Sequence, residues 1–261
     1  MTRLPARTTV SRTTASRTTA SRTAVFHPAV SLTAVALAAA GALSLAACST
    51  TTTTTTTSAT GPAASSSALG EGFLAAGRVP APESTVSPAP GSWSAVHPPS
   101  HYEVVLLSDQ ADAEAGRVDP ADGRAARTLA AAVASWAAAE DVSLTRVVAA
   151  DPDDRVAAVA RAVDEHPDLV ISVGDDMVDP LAAVSPSALH QQFLVLGAEI
   201  AEPTSNVTAA DWTGGGFRGE GLGPSSHHDP STFTPERAGR ALRAGVAAVL
   251  NDLTGIVVWV R

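Results

Sequence analysis

The run His101-Tyr102-Glu103-Val104-Val105-Leu106-Leu107-Ser108-Asp109 is short, apolar and ends in a polar pair. Continuous apolar runs of this length are typical of strands that are buried on both faces of a parallel sheet. A second run of this kind, Leu169-Val170-Ile171-Ser172-Val173, leads into Gly174-Asp175-Asp176. These two stretches predict a parallel sheet whose strands end in acidic residues.

Further short apolar runs alternate with segments of helical periodicity. We expect helices at about 122–139, from 151 up to Pro167, at 179–186 and at 234–249, and strands at 142–149, 193–197, 206–212 and 256–260. The first helix carries an apolar stripe of Ala126, Leu129, Val133 and Trp136, and the second one of Val156, Val159, Ala160 and Val163. Strands that alternate with amphipathic helices imply right-handed crossovers. The fold class predicted for 101–261 is therefore α/β, a doubly wound, mostly parallel sheet with helices on both faces.

The N-terminal segment has the form of a leader. Its first 28 residues contain five arginines and no acidic residue, and residues 29–47 are almost all Ala, Val and Leu. Leu45-Ala46-Ala47-Cys48, which holds the only cysteine of the chain, resembles a bacterial lipobox. This resemblance implies cleavage before Cys48, lipidation of Cys48 and anchoring on the extracytoplasmic face of the cell membrane. The alternatives are an ordinary secretory signal with an incidental cysteine and a retained anchor helix.

A polar, low-complexity stretch follows the cysteine. Residues 51–57 are all threonine, and residues 59–100 are rich in Pro, Ser, Ala and Gly without a periodic apolar face. Such a composition is typical of a disordered tether. We therefore expect a signal peptide at 1–47, a flexible tether at 48–100 and a domain at 101–261. Whether Val79–Glu83 and Trp93 pack on the domain is left open by the sequence.

The charge of the chain argues against two classes of partner. The chain has no lysine, and from Cys48 onward it has 12 arginines against 26 carboxylates, a net charge of −14. An acidic surface of this size repels nucleic acid and anionic headgroups, so we expect no nucleic-acid partner. The plainer interpretation is that an acidic surface keeps the domain soluble.

Three phrases and the order of elements resemble the basic membrane protein family. The phrases are Asp168–Gly174, Asp179–Pro186 and Gln192–Leu196, and the end of the chain, Ala238–Val260, is also similar. Members are lipoprotein substrate-binding components of ABC importers with a type I periplasmic-binding fold, and some bind purine nucleosides. The resemblance implies an ABC permease or a small solute as partner, and a last strand that enters a second lobe. Two departures are the sequence Ser108–Asp112, which lacks the aromatic residue of the family's first loop, and the absence of most of the second lobe.

A candidate ligand site follows from the expected strand order 2-1-3-4-5. In an open parallel sheet, ligands bind beyond the carboxyl ends of the strands, where the order of the strands reverses. The residues predicted at this crevice are Ser108, Asp109, Gly174, Asp175, Asp176, Gly197, Asp211 and Trp212. The carboxylates could hold ribose hydroxyls, amines or a cation, and Trp212 could stack on a ring. For each residue alone, a structural role such as a turn, a cap or a core position is the competing interpretation.

Other motifs give weaker signals. Gly214–Gly219 lacks the Lys-Ser/Thr pair of a phosphate-binding loop, and His227-His228-Asp229 offers metal-ligand residue types in a loop only. The sequence has no Gly-x-Ser-x-Gly elbow and no paired carboxylates at catalytic spacing on one element. We therefore expect no cofactor, no metal and no catalytic residues. The function expected is that of a membrane-anchored, solute-binding-like lipoprotein, and the alternative is a structural or protein-interaction lipoprotein that has lost the cleft.

Overall fold

The computed structural model describes residues 68–75, 78–110, 120–218 and 228–261. The predicted signal peptide at 1–47, the lipobox cysteine Cys48 and the first part of the predicted tether lie outside the described residues, and so does His227. None of the helices within the described ranges is both long enough and apolar enough to span a lipid bilayer.

The centre of the domain is a seven-stranded sheet in which every neighbouring pair is parallel. Its strands are β1 (Thr85–Val86), β2 (Glu103–Asp109), β3 (Ser143–Ala149), β4 (Leu169–Val173), β5 (Phe193–Leu196), β7 (Val207–Asp211) and β9 (Val257–Trp259). The spatial order is β1-β9-β7-β5-β4-β2-β3. Two further short strands, β6 (Ala198–Ile200) and β8 (Gly216–Arg218), form a separate parallel pair. The predicted doubly wound, mostly parallel sheet is confirmed.

Within the described ranges, four helices cover the two faces of the sheet: α1 (Pro120–Ala139), α2 (Arg155–Asp164), α3 (Val178–Val184) and α4 (Pro235–Val249). One core contains side chains of α1 and α4, such as Leu129, with Leu106 of β2. The other contains side chains of α2 and α3, such as Leu181, with Leu107 of β2. Consecutive strand residues point to opposite faces, so burial on both faces explains the unbroken apolar run of β2.

The helices begin within a few residues of the predicted positions, but the predicted buried face of α2 is only partly correct. Asp151 accepts hydrogen bonds from the backbone N–H groups of Asp153 and Asp154, but it caps a 3-10 turn at 152–154 that precedes α2. The predicted stripe was wrong in part, because Val156 is 51% exposed and the buried residues of α2 are Ala158, Val159 and Ala162. Alanine at two of these positions lets the helix backbone approach the sheet closely.

The last strand differs from what the family resemblance implied. β9 does not enter a second lobe; it pairs with β7 in the main sheet, with Ala210 opposite Val258. The turn that follows α4 includes Gly255 at φ 68° and leads the chain back onto the sheet. Val258 is fully buried there, so this position satisfies the apolar character of the strand.

The described part of the predicted tether packs on the domain. Residues 85–86 form β1 at the edge beside β9, and Glu83 donates its backbone N–H to Gly255 O at 2.7 Å. Phe73 and Trp93 are 1% and 7% exposed and belong to the core, whereas Val79 is 85% exposed. The structure therefore differs from a flexible tether over 68–75 and 78–100. The physical reason is that these two large aromatic side chains gain more from burial than a low-complexity composition suggests.

Candidate functional site

The carboxyl ends of β2 and β4 lie where the sequence predicted a ligand crevice. The order β3-β2-β4-β5-β7 among the first five long strands is the expected 2-1-3-4-5, so the reversal of strand order falls between β2 and β4. Ser108 and Asp109 end β2, and Gly174, Asp175 and Asp176 follow β4. Gly174 has φ 92° and leads into a 3-10 turn at Asp175–Met177, so its structural role in the turn is evident.

An arginine that the sequence reasoning did not single out joins two of these carboxylates. Arg155 Nε donates to Asp109 Oδ2 at 2.5 Å, and Arg155 Nη2 donates to Asp176 Oδ2 at 2.7 Å. The Asp109 side chain is 1% exposed, that of Arg155 18% and that of Asp176 34%. We call these three residues the arginine-paired group. Because a buried carboxylate needs a charged or hydrogen-bonding partner, Arg155 makes the burial of Asp109 feasible.

A second set of carboxylates lies beyond the ends of β5 and β7. Asp211 ends β7 and is 2% exposed, and Glu199 lies in β6. Burial is the main cause that raises the pKa of Asp211 to about 8; a hydrogen bond from the Trp212 backbone opposes it, and the negative charges of Glu199 and Asp175 add to it. Burial also raises the pKa of Glu199. We call Asp175, Glu199 and Asp211 the acidic cluster.

The glycine-rich segment after β7 packs directly against two carboxylates of the acidic cluster. A Cβ atom at Gly215 would overlap Asp211 Oδ1, and one at Gly216 would overlap Asp175 Oδ1. Asp211 Oδ1 is buried and accepts no hydrogen bond among the described residues. Two consecutive glycines are therefore required where the backbone closes over two carboxylates. A phosphate would meet negative charge at this place, which argues against the phosphate-loop interpretation.

Trp212 and Gly197 belong to the core and not to a ligand surface. The Trp212 side chain is 1% exposed, its Nε1 donates to Thr232 Oγ1 at 3.0 Å, and its ring meets Phe233 edge-on at 5.0 Å between centroids. Gly197 has φ 78°, and a Cβ there would lie 2.9 Å from the Phe233 ring. The suggestion that Trp212 stacks on a ligand was wrong. Asp211 and Trp212 are consecutive, so their side chains point in opposite directions and only one of them reaches the acidic cluster.

The histidine loop does not form a metal centre within the described residues. The His228 ring lies 5.4 Å from the Phe233 ring, and Asp229 accepts hydrogen bonds from the backbone N–H and the hydroxyl of Ser231. The hydrogen bonds from Ser231 lower the pKa of Asp229. No group of three His, Cys, Asp or Glu residues in the described ranges has an arrangement suited to a metal ion.

Comparisons with known proteins give weak similarities only. No family model matches the chain, and no curated protein matches it. The resemblance to the basic membrane protein family therefore stays a prediction.

Solved structures with local similarity include a fragment from Peptoclostridium difficile 630 provisionally described as a lipoprotein. It has a TM-score of 0.40 and 16% identity, over 57% of this chain and 98% of the fragment. Two ABC transporter solute-binding proteins, from Aeropyrum pernix K1 and Conexibacter woesei DSM 14684, have TM-scores of 0.35 and 0.32 and identities of 20% and 17%. They match 43% and 42% of this chain, which spans only 29% and 35% of their lengths. TM-scores below 0.5 do not establish a common fold.

Proposed function

We propose that this chain is a lipoprotein, anchored through a lipid on Cys48 at the extracytoplasmic face of the membrane, whose α/β domain binds a small polar solute. The observation that carries the proposal is the arginine-paired group at the reversal point of the sheet. There a partly exposed guanidinium and a partly exposed carboxylate lie side by side. Crevices at this position of open parallel sheets are the usual ligand sites of such folds.

The side chains at the crevice favour a solute that carries hydrogen-bond donors, such as hydroxyl or amine groups, together with acceptor atoms. Asp176, with about a third of its side chain exposed, can accept hydrogen bonds from a solute. Arg155 can donate to a carbonyl or ring nitrogen on the same solute. A nucleoside has these groups, and its ribose hydroxyls suit a carboxylate. Ring stacking on Trp212 is not available to it, because that ring is buried in the core.

A single α/β domain would cover a solute at these strand ends from one side only. Ligand sites of high affinity bury most of the ligand surface, and importers of the solute-binding class do this by closing two lobes. We therefore propose that binding by this chain alone is weak. A permease or a second chain that covers the crevice would complete the site, which would make the protein an accessory component of an importer.

A thermal-shift screen of the full chain against nucleosides and other small polar solutes tests the site. We expect a raised melting temperature with at least one solute, because a ligand that binds only the folded state stabilises it. Asp176→Asn should remove this shift. The control is Asp164→Asn, which changes an exposed carboxylate at the end of α2 and should leave the shift intact. Solute binding at this crevice is contradicted if no solute of the panel shifts the melting temperature, or if Asp176→Asn and Asp164→Asn reduce the shift equally.

The second candidate function is a structural or protein-interaction lipoprotein. The observation that favours it is that Arg155 bridges Asp109 and Asp176 within the chain, so the crevice carboxylates are already paired. A lipoprotein of this kind would give no thermal shift with any solute. It should instead co-purify with a membrane partner after cross-linking, and Arg155→Gln should not change the partners recovered.

The anchor is tested separately from the domain. Cys48→Ser should release the chain from the membrane fraction or leave it unprocessed, because the acylated thiol is lost. Two acyl chains give stable anchoring where one chain alone gives reversible binding. Unchanged membrane retention and unchanged processing in Cys48→Ser would contradict lipidation at this residue.

A further inference from the structure

Three residues after β7 lie directly over the acidic cluster, and we call Gly215, Gly216 and Phe217 the glycine cover. A Cβ atom at Gly215 would overlap Asp211 Oδ1, and one at Gly216 would overlap Asp175 Oδ1. Both glycines are buried, as is Asp211 beneath them. The cover therefore separates these two carboxylates from water on one side.

The cover is held by its backbone, because it offers almost no side chain for packing. Its strand β8 pairs with β6, Gly216 donates its N–H to Gly197 O at 3.0 Å, and Gly215 donates its N–H to Trp212 O at 2.9 Å. Two of its three residues have no side chain, and Phe217 is 40% exposed. Backbone hydrogen bonds of this kind add little net stability, since water replaces them when the segment opens.

The carboxyl group beneath the cover is one that resists ionisation. Asp211 is 2% exposed, and its Oδ1 accepts no hydrogen bond among the described residues. Burial raises the pKa of Asp211 to about 8, and the charges of Glu199 and Asp175 add to this effect. An ionised Asp211 would be a buried carboxylate beside two like charges, which is costly unless water reaches it.

Other charged residues lie on the elements that pack around the cluster and the cover. α3 packs on β6 through Leu181 and Ile200. The segment 228–233 is joined to the turn before the cover by a hydrogen bond of 2.9 Å from the Asp229 N–H to Gly214 O. A histidine can change its charge near neutral pH, so the histidine of this segment needs its own control. The charged and titratable residues on these elements are Asp175, Asp179, Glu199, Arg218, His228 and Asp229.

The cover is the least anchored part of this arrangement. Asp211 ends a strand that is paired on both sides, and its backbone C=O accepts from the Val260 N–H at 2.8 Å. β6 is fixed by Ala198 and Ile200, which are 3% and 8% exposed and belong to a core. The one side chain of the cover, Phe217, is exposed. Movement of the cover is therefore the easiest way to bring water to Asp211.

We propose that the glycine cover is a pH-dependent lid, which lies closed over Asp211 while this carboxyl group is protonated and lifts when the group ionises. The opening is local and leaves the seven-stranded sheet intact. It admits water to the acidic cluster at the ends of β5 and β7. The lid is a property of the chain without solute, so it stands apart from the proposed function.

Hydrogen–deuterium exchange of the full chain, measured by mass spectrometry, tests the lid. Labelling times are adjusted so that intrinsic exchange is equal at pH 5 and pH 7, and the protection of the N–H groups of 215–217 is compared. Asp211 has a pKa of about 8 when covered and an ordinary value of 3.8 when open to water, so opening releases a proton in this range. Opening is therefore favoured as pH rises, and protection should fall about a hundredfold.

Two variants and a urea series show whether the fall comes from Asp211 and from a local opening. Asp211→Asn should keep the protection of the cover equal at both pH values, and His228→Gln should show the same fall as the parent. Urea well below the unfolding midpoint should leave exchange of the cover unchanged, because a local opening exposes little surface, whereas exchange of the β4 amides should rise with urea.

Four outcomes would overturn the proposal. They are equal protection of the cover at pH 5 and pH 7 in the parent, an equal fall in Asp211→Asn, loss of the fall in His228→Gln, and exchange of the cover that rises with urea as steeply as that of β4. If Asp211→Asn fails to fold, Asp211→Ser takes its place, since its side chain is smaller and also uncharged. A fall of parental size in Asp211→Ser would then overturn the proposal.

Discussion

At the edge formed by the strand ends, the arginine-paired group and the acidic cluster differ in what compensates a buried carboxylate. Asp109 is fully buried and is paired with a guanidinium at 2.5 Å. Asp211 is almost as deeply buried, but the charges that act on it are those of Glu199 and Asp175, both negative. The first carboxylate is stabilised by an ion pair and the second by retaining its proton. Two identical side chains at one edge of the sheet therefore depend on different neighbours, Asp109 on a cation and Asp211 on its own proton.

The largest expected effect comes from removal of the arginine. Arg155→Gln leaves the Asp109 carboxylate buried beside a neutral side chain, and loss of one partner of a buried pair costs about 3–5 kcal/mol. Urea unfolding of the full chain at pH 7 should show this loss in the free energy of unfolding. The double variant Arg155→Gln/Asp109→Asn should recover part of it. If the single and the double variant were equally unstable, the ion pair would not be what permits burial of Asp109.

In the acidic cluster, loss of a carboxylate charge should stabilise the fold instead of destabilising it. The pKa of Asp211 is raised to about 8 from 3.8, so between about pH 4 and pH 8 the folded state holds a proton that the unfolded state has lost. The stabilisation from this proton is fully present below the unfolded pKa and is lost as pH rises through the folded pKa. Between these two pKa values stability falls by about 1.4 kcal/mol per pH unit, so the loss expected from pH 5 to pH 7 is on the order of 3 kcal/mol.

Asp211→Asn measures this dependence because the amide is neutral at every pH and has nearly the same shape. We expect the free energy of unfolding of the variant to exceed that of the parent increasingly from pH 5 to pH 9 in urea titrations. Asp164→Asn, at the exposed end of α2, is the control that should leave the slope unchanged. A parent chain whose stability rises across this range relative to Asp211→Asn would contradict a protonated Asp211.

The smallest effect concerns the glycines that close over the cluster. Gly215→Ala places a methyl group on Asp211 Oδ1, and overpacking of this kind costs about 1–3 kcal/mol. The matched control is Gly239→Ala, where the Cβ has open space inside a helix and should stabilise by up to about 1 kcal/mol.

The pairing of Gly215 with Asp211 can be separated from a general effect of the added methyl group. Thermal unfolding in the Asp211→Ala background should show little further loss from Gly215→Ala, since the oxygen that the methyl group meets is gone. Equal losses in both backgrounds would show that the cluster does not impose the glycine.

Much of the fold could be predicted from local pattern, and the site only in part. The apolar runs of β2 and β4 have the composition of doubly buried strands, so their ends and the acidic residues there could be located from sequence. Arg155 was missed because its pairing with Asp109 spans 46 positions and leaves no local signal. A search for cations near a buried acidic strand end would have raised it as a candidate.

Two further differences have their own physical causes. Trp212 lies away from the strand-end site because it directly follows Asp211 at the end of β7, and a shift of one residue reverses the side-chain direction. β1 was not predicted because a strand of two residues carries no periodicity. The packing of Phe73 and Trp93 depends on a core that the surrounding composition does not indicate.

Amide chemical-shift mapping is the most direct test of solute binding at the ends of β2 and β4. The full chain, isotopically labelled, would be titrated with the solute that gives the largest thermal shift, or with adenosine if none does. We expect the largest changes at the backbone N–H groups of Ser108, Gly174 and Asp176, and we expect Asp176→Asn to remove them. Changes confined to other parts of the domain, or no changes at millimolar solute, would contradict it.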